Sequence, residues 1–134
     1  MKKILIALFT LLALAACSAS SPDSLPGRWQ LVSHGPASGQ LAAAEDVDAF
    51  IEFGPDGQLG GNVGCNGFGG DYQVEGNTLT FGPIISTEMF CEGPVGEQEA
   101  TTLAVLSESA TFSLDGDTLT ITSADGNSVI VLGR

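Results

Sequence analysis

The chain has 134 residues and carries 4 lysines and arginines against 16 aspartates and glutamates, which gives a formal net charge of −12. A surface this acidic repels phosphate backbones, so the charge excludes a protein that binds nucleic acid electrostatically. The length allows one folded domain with a real core, and not two.

The N-terminus has the pattern of a bacterial secretion signal. Two lysines precede an apolar run over residues 4–16, which is too short for a comfortable bilayer span. The run ends in Leu-Ala-Ala directly before Cys17, and this ending resembles the lipobox of bacterial lipoproteins. We therefore expect residues 1–16 to be a signal peptide and Cys17 to carry lipid as the first mature residue. The alternative is an ordinary cleaved signal that leaves a free cysteine.

Residues 17–24 are small and polar after the cysteine, as in a flexible tether, and a domain over residues 25–134 follows. Without the signal, two arginines face 16 acidic residues, a formal charge of −14. This charge disfavours adsorption to anionic lipid, so attachment to a membrane would depend on acyl chains at Cys17. Ser18 stands where an aspartate often retains lipoproteins in the inner membrane. We expect the protein in the outer membrane, facing the periplasm.

Short alternating segments, rich in β-branched and aromatic residues, are separated by turns containing Gly, Asp and Asn. This spacing predicts a mainly β fold class, a meander of about eight short strands. The predicted strands cover residues 29–33, 50–53, 58–62, 72–74, 78–81, 112–114, 118–122 and 129–132.

One segment has helical periodicity, and we predict a single helix over about residues 95–107. Pro94 suits a first helical position, and Glu97 and Glu99 suit the positive N-terminal end of the helix. The predicted apolar face comprises Ala100, Leu103, Ala104 and Leu106, and the helix would lie against the sheet or close the end of a barrel.

Residues 72–81 resemble residues 112–121 at an offset of 40, with an identical Gly, Thr, Leu and Thr at matching positions. Hairpins under the same constraints converge on such sequences, and a duplicated half would give the same pattern. The sequence leaves both explanations open.

Cys65 and Cys91 remain once Cys17 is assigned to lipid. An even pair in an oxidising compartment predicts a disulfide, in preference to a reactive thiol or a metal site. His34, the single histidine, offers too little additional ligand for a typical metal centre. An unstrained bridge would contribute about 3–4 kcal/mol in the chain-entropy model.

No catalytic set is evident. His34 lies in a predicted loop, no serine has a nucleophile-elbow context, and Glu88 and Glu92 are more simply solvated acids than an acid–base pair. Aspartates beside turn glycines lack the spacing of a calcium loop and fit turn formation instead. We expect a protein that is not an enzyme and has neither a cofactor nor a metal site.

Two segments carry a resemblance to a known family. Gly-Cys-Asn-Gly-Phe-Gly-Gly-Asp-Tyr over residues 64–72 and Thr-Glu-Met-Phe-Cys over residues 87–91 occur in the order found in the META domain family, which includes the HslJ-type heat-shock proteins. The resemblance covers nearly the whole folded part and implies a small, mainly β, barrel-like domain with a helix. The residues that carry the family signature are Gly64, Cys65, Asn66, Phe68, Gly70, Tyr72, Thr87, Met89 and Cys91.

The resemblance implies no activity or ligand, and links some members to envelope stress, antibiotic tolerance or motility. We therefore expect a non-enzymatic envelope lipoprotein, structural or adaptor-like, with a stress-protective role, and a monomer. One alternative is a module that binds a small apolar ligand or envelope lipid in the barrel; another is an acidic inhibitor of a basic protein. The cavity of the first alternative would be lined by Trp29, Phe53, Phe68, Tyr72, Phe81 and Phe112.

Overall fold

The computed structural model describes residues 24–134, so the predicted signal peptide and Cys17 lie outside the described residues. Ten strands and one helix follow one another along this part of the chain. They are β1 (Gly27–Pro36), β2 (Leu41–Ala42), β3 (Phe50–Phe53), β4 (Gln58–Asn62), β5 (Gly67–Glu75), β6 (Thr78–Phe81), β7 (Ile85–Ser86), α1 (Gly93–Val105), β8 (Ser109–Asp115), β9 (Thr118–Ser123) and β10 (Ser128–Gly133).

The sheet closes on itself. Antiparallel pairs run in the order β1, β3, β4, β5, β6, β8, β9 and β10, and β10 pairs with β1 to complete the barrel. The short strands β2 and β7 pair with β1 and β5 outside this ring. This arrangement confirms the predicted fold class, a mainly β antiparallel barrel with one helix. Closure leaves the eight ring strands without a free edge.

The barrel has two distinct ends. At the first, which we call the base, β1 begins and β10 ends, since Gly27 pairs with Phe53 and Gln30 with Gly133. The turn between β4 and β5 lies at the opposite end, where the Gln98 side chain of α1 donates a hydrogen bond to the Val63 carbonyl. We call this the helix end. It is the end that α1 covers.

Large apolar side chains fill the interior. Trp29 is fully buried and its indole N–H donates to the Leu25 carbonyl at 2.8 Å. The aromatics considered as a cavity lining belong to this core, with Phe112 packed against it as a partly buried member. The fully buried members include Trp29, Ile51, Val63, Leu79, Leu106, Leu119, Ile121, Ile130 and Leu132.

The glycine-rich segment is more regular than its composition indicates. We expected a strand only from Tyr72, whereas β5 begins at Gly67 and pairs with β4 along its glycines. Gly60 lies opposite Gly69 in this ladder. The close neighbours of Gly70 explain part of the composition, because a Cβ there would come within 2.9 Å of the Ile84 side chain.

The helix begins two residues earlier than predicted, over Gly93–Val105. Half of the predicted apolar face is buried: Leu106 is in the core and Leu103 packs against it, whereas Ala100 and Ala104 are exposed. The prediction missed Gln98 and Glu99, which are buried because their side chains form hydrogen bonds with the β4–β5 turn. Among the described residues, no helix is both long and apolar enough to cross a bilayer.

The sequence pattern also gave a wrong prediction for the position of His34. We predicted a loop position, but His34 lies in β1 and is only 3% exposed. The pairing of β1 with β10 shifts register between Leu31 and Ser33, as at a β-bulge. One extra residue reverses the inward–outward alternation, so that His34 rather than Ser33 faces inward.

The two similar segments form corresponding hairpins, β5–β6 and β8–β9. Each turns at a glycine with a positive φ, +61° at Gly76 and +58° at Gly116. A residue with a Cβ is disfavoured in that left-handed conformation. This shared turn constraint accounts for the identical glycine of the two segments.

Candidate functional site

The two family-like segments meet α1 at the helix end of the barrel. We call this region the signature corner and define it as residues 63–66, residues 87–91 and the helical residues 93–99. Residues 63–66 connect β4 to β5, and residues 87–91 lead from β7 into the helix. Residues 63–66 precede the other two parts by about twenty residues or more in the sequence, and hydrogen bonds with one disulfide join them to those parts.

Asn66 is the centre of the corner and is 5% exposed. Its side-chain oxygen accepts hydrogen bonds from the Thr87 hydroxyl and from the Met89 amide, both at 2.8 Å. Its side-chain nitrogen donates to the Met89 carbonyl at 3.1 Å and to Glu99 at 2.6 Å. Because both ends of the amide are used, an aspartate or a leucine of similar size cannot reproduce this set of bonds.

Glu99 closes the network from the helix. One carboxylate oxygen accepts the backbone amides of Cys65 and Asn66 at 2.8 and 2.7 Å, while the other accepts the Asn66 side chain. The carboxylate is 8% exposed as a residue and has no arginine or lysine partner in the described part of the chain. Backbone and side-chain donors therefore solvate this buried acid.

Two glycines allow the close approach of loop and helix. A Cβ at Gly64 would lie 2.5 Å from the Glu99 Cβ and 2.7 Å from its carboxylate. A Cβ at Gly96 would collide with the Cys91 carbonyl. Steric exclusion, rather than flexibility, thus explains the glycine of the Gly-Cys-Asn element.

Cys65 and Cys91 are joined in a disulfide with their Cα atoms 6.2 Å apart, which confirms the predicted bridge. It links the loop that Glu99 holds to the segment that Asn66 holds. The sulfur atoms also lie near the Glu99 carboxylate, in a group whose ligand atoms are all within 4.8 Å of one another. Sulfurs bonded to each other are not thiolates, and the thiolate is the form that binds metal.

The remaining signature residues belong to the barrel wall below the corner. Phe68 and Tyr72 point into the core from β5. The Tyr72 hydroxyl donates to the Gly54 carbonyl at 2.6 Å, and its ring packs edge-on against Phe53 at 5.1 Å. Burial, and secondarily the charge of Asp56, raises the pKa of the Tyr72 phenol. These contacts fix β5 and leave the hydroxyl as a donor at neutral pH.

Three exposed apolar side chains lie on the corner segment or just before it. Ile85, Met89 and Phe90 are 78%, 60% and 87% exposed, and we call these three residues the apolar tip. The Met89 backbone is fixed by Asn66, so its side chain projects from an anchored main chain. Exposed aromatic and methionine side chains on ordered backbone are typical of protein contact surfaces.

A family model matches nearly the whole of the described chain. The META domain model covers residues 23–134. The chain belongs to the META domain family. Both segments on which the resemblance rested, residues 64–72 and 87–91, lie within the matched range.

Solved structures share the META barrel of this chain. A protein from Burkholderia xenovorans, determined by NMR, is 20% identical and has a TM-score of 0.65, with 81% of each chain covered. A DUF4847 family protein from Bacteroides vulgatus ATCC 8482 is 14% identical with a TM-score of 0.56, covering 80% of this chain and 91% of its own. At these identities the likeness shows the fold alone. No curated protein sequence matches the chain.

Sequence reasoning found the two META segments and their bridge, and it missed the helical side. Gln98 is fully buried, and its oxygen accepts the Ala44 amide while its nitrogen donates to Val63. We expected Glu99 to interact with the positive N-terminal end of the helix. Its carboxylate instead accepts hydrogen bonds from the backbone amides of the β4–β5 loop. Nothing in the sequence separates these two residues from the other acidic and polar residues of the helix.

Proposed function

We propose that this META protein is a lipid-anchored, non-enzymatic adaptor of the bacterial envelope. The observation that carries the proposal is which side chains of the signature corner are bonded within the protein and which are exposed. Asn66, Glu99 and both cysteines are used entirely in bonds to one another and to the backbone. The large side chains left exposed on the same segment, those of Met89 and Phe90, are apolar. Such a corner presents a surface, and its buried polar groups are not free to act as a nucleophile or a base.

The position of the chain start supports an anchored orientation. The Arg134 side chain at the base donates to the Ser24 carbonyl at 3.1 Å, so the chain leaves toward Cys17 from the base. The apolar tip adjoins the helix end. A protein held through Cys17, with a chain of seven residues that extends to about 25 Å at most, would face the membrane with its base and a partner with its tip.

Charge favours a basic partner. Glu88, Glu92 and Glu97 are exposed beside the tip or on the adjoining helix. The two arginines of the described residues are engaged elsewhere, Arg28 with Asp48 at 2.7 Å and Arg134 over the Trp29 ring. An apolar surface with an acidic rim is complementary to an apolar, basic protein surface. A stress-protective role would follow from the envelope process in which that partner acts.

The apolar-ligand alternative receives no comparable support, because the aromatics that would line its cavity are core residues. The inhibitor alternative shares the basic partner and differs only in the consequence of binding. We therefore retain the adaptor as the single proposal.

The anchor is tested by replacing its cysteine. Cys17→Ala should abolish incorporation of labelled palmitate and leave an unprocessed precursor, because no thiol remains for lipid transfer. Cys65→Ala with Cys91→Ala is the matched control, which should be labelled normally. Equal labelling of the Cys17→Ala protein would disprove the anchor.

The adaptor surface is tested by site-specific photo-crosslinking in intact envelopes of the native host. A p-benzoylphenylalanine at position 90 should give a discrete cross-linked product with a basic protein. The product should decrease when Glu88 and Glu92 are changed to glutamine, since both the charge attraction and the partner's orientation depend on these acids.

The control probe replaces Val74, which is 49% exposed on β5. It measures random encounter with envelope proteins. Products of the same identity and yield from positions 74 and 90, or no product from position 90, would overturn the adaptor proposal.

A further inference from the structure

A second feature of the helix end lies on the other side of α1 from the disulfide and shares only residues of α1 with the signature corner. A pocket of about 340 Å³ opens between β1, β2 and the start of α1. Its apolar wall consists of Leu41, Ala42, Ala44 and Pro94, and its polar groups come from His34, Glu97 and Gln98. A small apolar pocket with a few convergent polar groups is the usual form of a small-molecule site.

The polar groups of this pocket differ in how many of their hydrogen bonds are already made within the protein. Gln98 uses both ends of its amide within the protein, toward Ala44 and Val63. His34 is 97% buried, and its Nδ1 atom has no hydrogen-bond partner among the described residues. A buried polar atom without a partner costs stability, and native proteins rarely retain one without a reason.

We propose that this pocket binds a small organic cation, an ammonium group on an apolar chain. The apolar wall would hold the chain, and the ammonium hydrogens would be shared by the imidazole of His34 and the carboxylate of Glu97. This site does not include the apolar tip and shares only Glu97 with the acidic rim of the adaptor surface, and its occupant would be a metabolite-sized amine rather than a protein.

The charges around the pocket favour a cation over an anion. Glu97 is the ionisable group on the helical side, and neither arginine of the described residues lines the pocket. Burial lowers the pKa of His34, with the Glu97 carboxylate opposing the shift. The ring is therefore neutral at pH 7 and has one nitrogen able to accept a hydrogen bond. The negative net charge of the chain adds an electrostatic field that also attracts a cation.

The test compares three ligands that share one chain and differ in the head group: hexylammonium, hexanol and hexanoate. The protein is the full mature chain carrying Cys17→Ser to keep it free of lipid. Methyl resonances of Ala42 and Ala44 report binding at the pocket wall by NMR titration. Hexylammonium should shift both methyls in a saturable manner, at least about fivefold more tightly than hexanol, and hexanoate should not bind.

Two variants locate the interaction. Glu97→Gln should weaken the binding of hexylammonium by about fivefold or more and leave the affinity for hexanol unchanged, because the substitution removes only the charge. His34→Phe should weaken hexylammonium similarly while keeping or raising thermal stability, since it removes an unpartnered nitrogen and keeps an aromatic ring. Glu75→Gln, an equal charge change on β5, is the matched control and should alter neither affinity.

Each other outcome contradicts the proposal. Equal binding of hexylammonium and hexanol would mean that the pocket is merely apolar, and tighter binding of hexanoate would mean that its field has the opposite sign. The site would be overturned if hexylammonium did not shift the Ala42 and Ala44 methyl resonances. It would also be overturned if Glu75→Gln lowered the affinity for hexylammonium as much as Glu97→Gln does.

Discussion

Glu99→Ala is expected to lower the free energy of unfolding by about 3–5 kcal/mol, the cost of leaving two or more buried donors unpaired. The carboxylate accepts the amides of Cys65 and Asn66 and the side chain of Asn66, all within 2.8 Å. Alanine leaves these donors facing a small cavity beneath the helix. Chemical denaturation monitored by the fluorescence of Trp29 measures the change, because this residue is the single tryptophan of the chain.

The neighbouring acid provides a matched control. Glu97 is exposed on the same helix, and Glu97→Ala should change stability by no more than about 0.5 kcal/mol. Glu99→Gln should give an intermediate loss of about 1–2 kcal/mol, since one oxygen still accepts the backbone amides while its NH₂ opposes the Asn66 donor. If Glu99→Ala and Glu97→Ala were equally mild, the network at the signature corner would not stabilise the fold.

Loss of the disulfide should have the second large effect. Cys65→Ala with Cys91→Ala should destabilise the domain by about 3–4 kcal/mol in the chain-entropy model. The bridge closes a loop with a sequence separation of 26. The barrel should persist, because the ladders of β4 with β5 and of β5 with β6 do not depend on the bridge. Urea denaturation gives the energy, and far-ultraviolet circular dichroism reports the retained fold class.

An experiment with a reductant distinguishes the stability that the disulfide contributes from the effect of replacing the cysteine side chains. A dithiol should lower the unfolding midpoint of the unsubstituted protein and leave that of the doubly substituted protein unchanged. An unchanged midpoint in both proteins would show that the bridge contributes no stability. Collapse of the β spectrum on reduction would show that the fold depends on the covalent link, contrary to the expected division of roles.

Local signals in the sequence were sufficient for the strands of the barrel, and the family resemblance added that they form a barrel. Alternation and glycine-containing turns identified the eight ring strands, since a strand with one buried face needs a period of two and a tight hairpin needs a left-handed residue. The glycines at Gly76 and Gly116 satisfy that need in the structure. The signature segments and their cysteine pair were likewise visible, because they carry rare residue types at recognisable spacing.

The same signals were wrong where the environment reverses a local rule. Glycines over residues 67–70 indicated a loop, yet they pair with β4 as a strand. A bulge in β1 turned His34 inward. The apolar residues of α1 predicted a purely apolar buried face, whereas the packing left Ala100 and Ala104 exposed and buried Gln98 and Glu99. Burial of Gln98 and Glu99 is possible only because particular backbone groups lie opposite them.

By itself, the sequence determined the mainly β fold class, the order of the strands, the cysteine pair and the family segments, because each depends on neighbours in the chain. The tertiary structure decided which polar side chains became internal partners and which apolar side chains remained outside. Satisfaction of a buried carboxylate such as Glu99 requires donors from residues far away in sequence, and their distance and direction exist only after the barrel has closed.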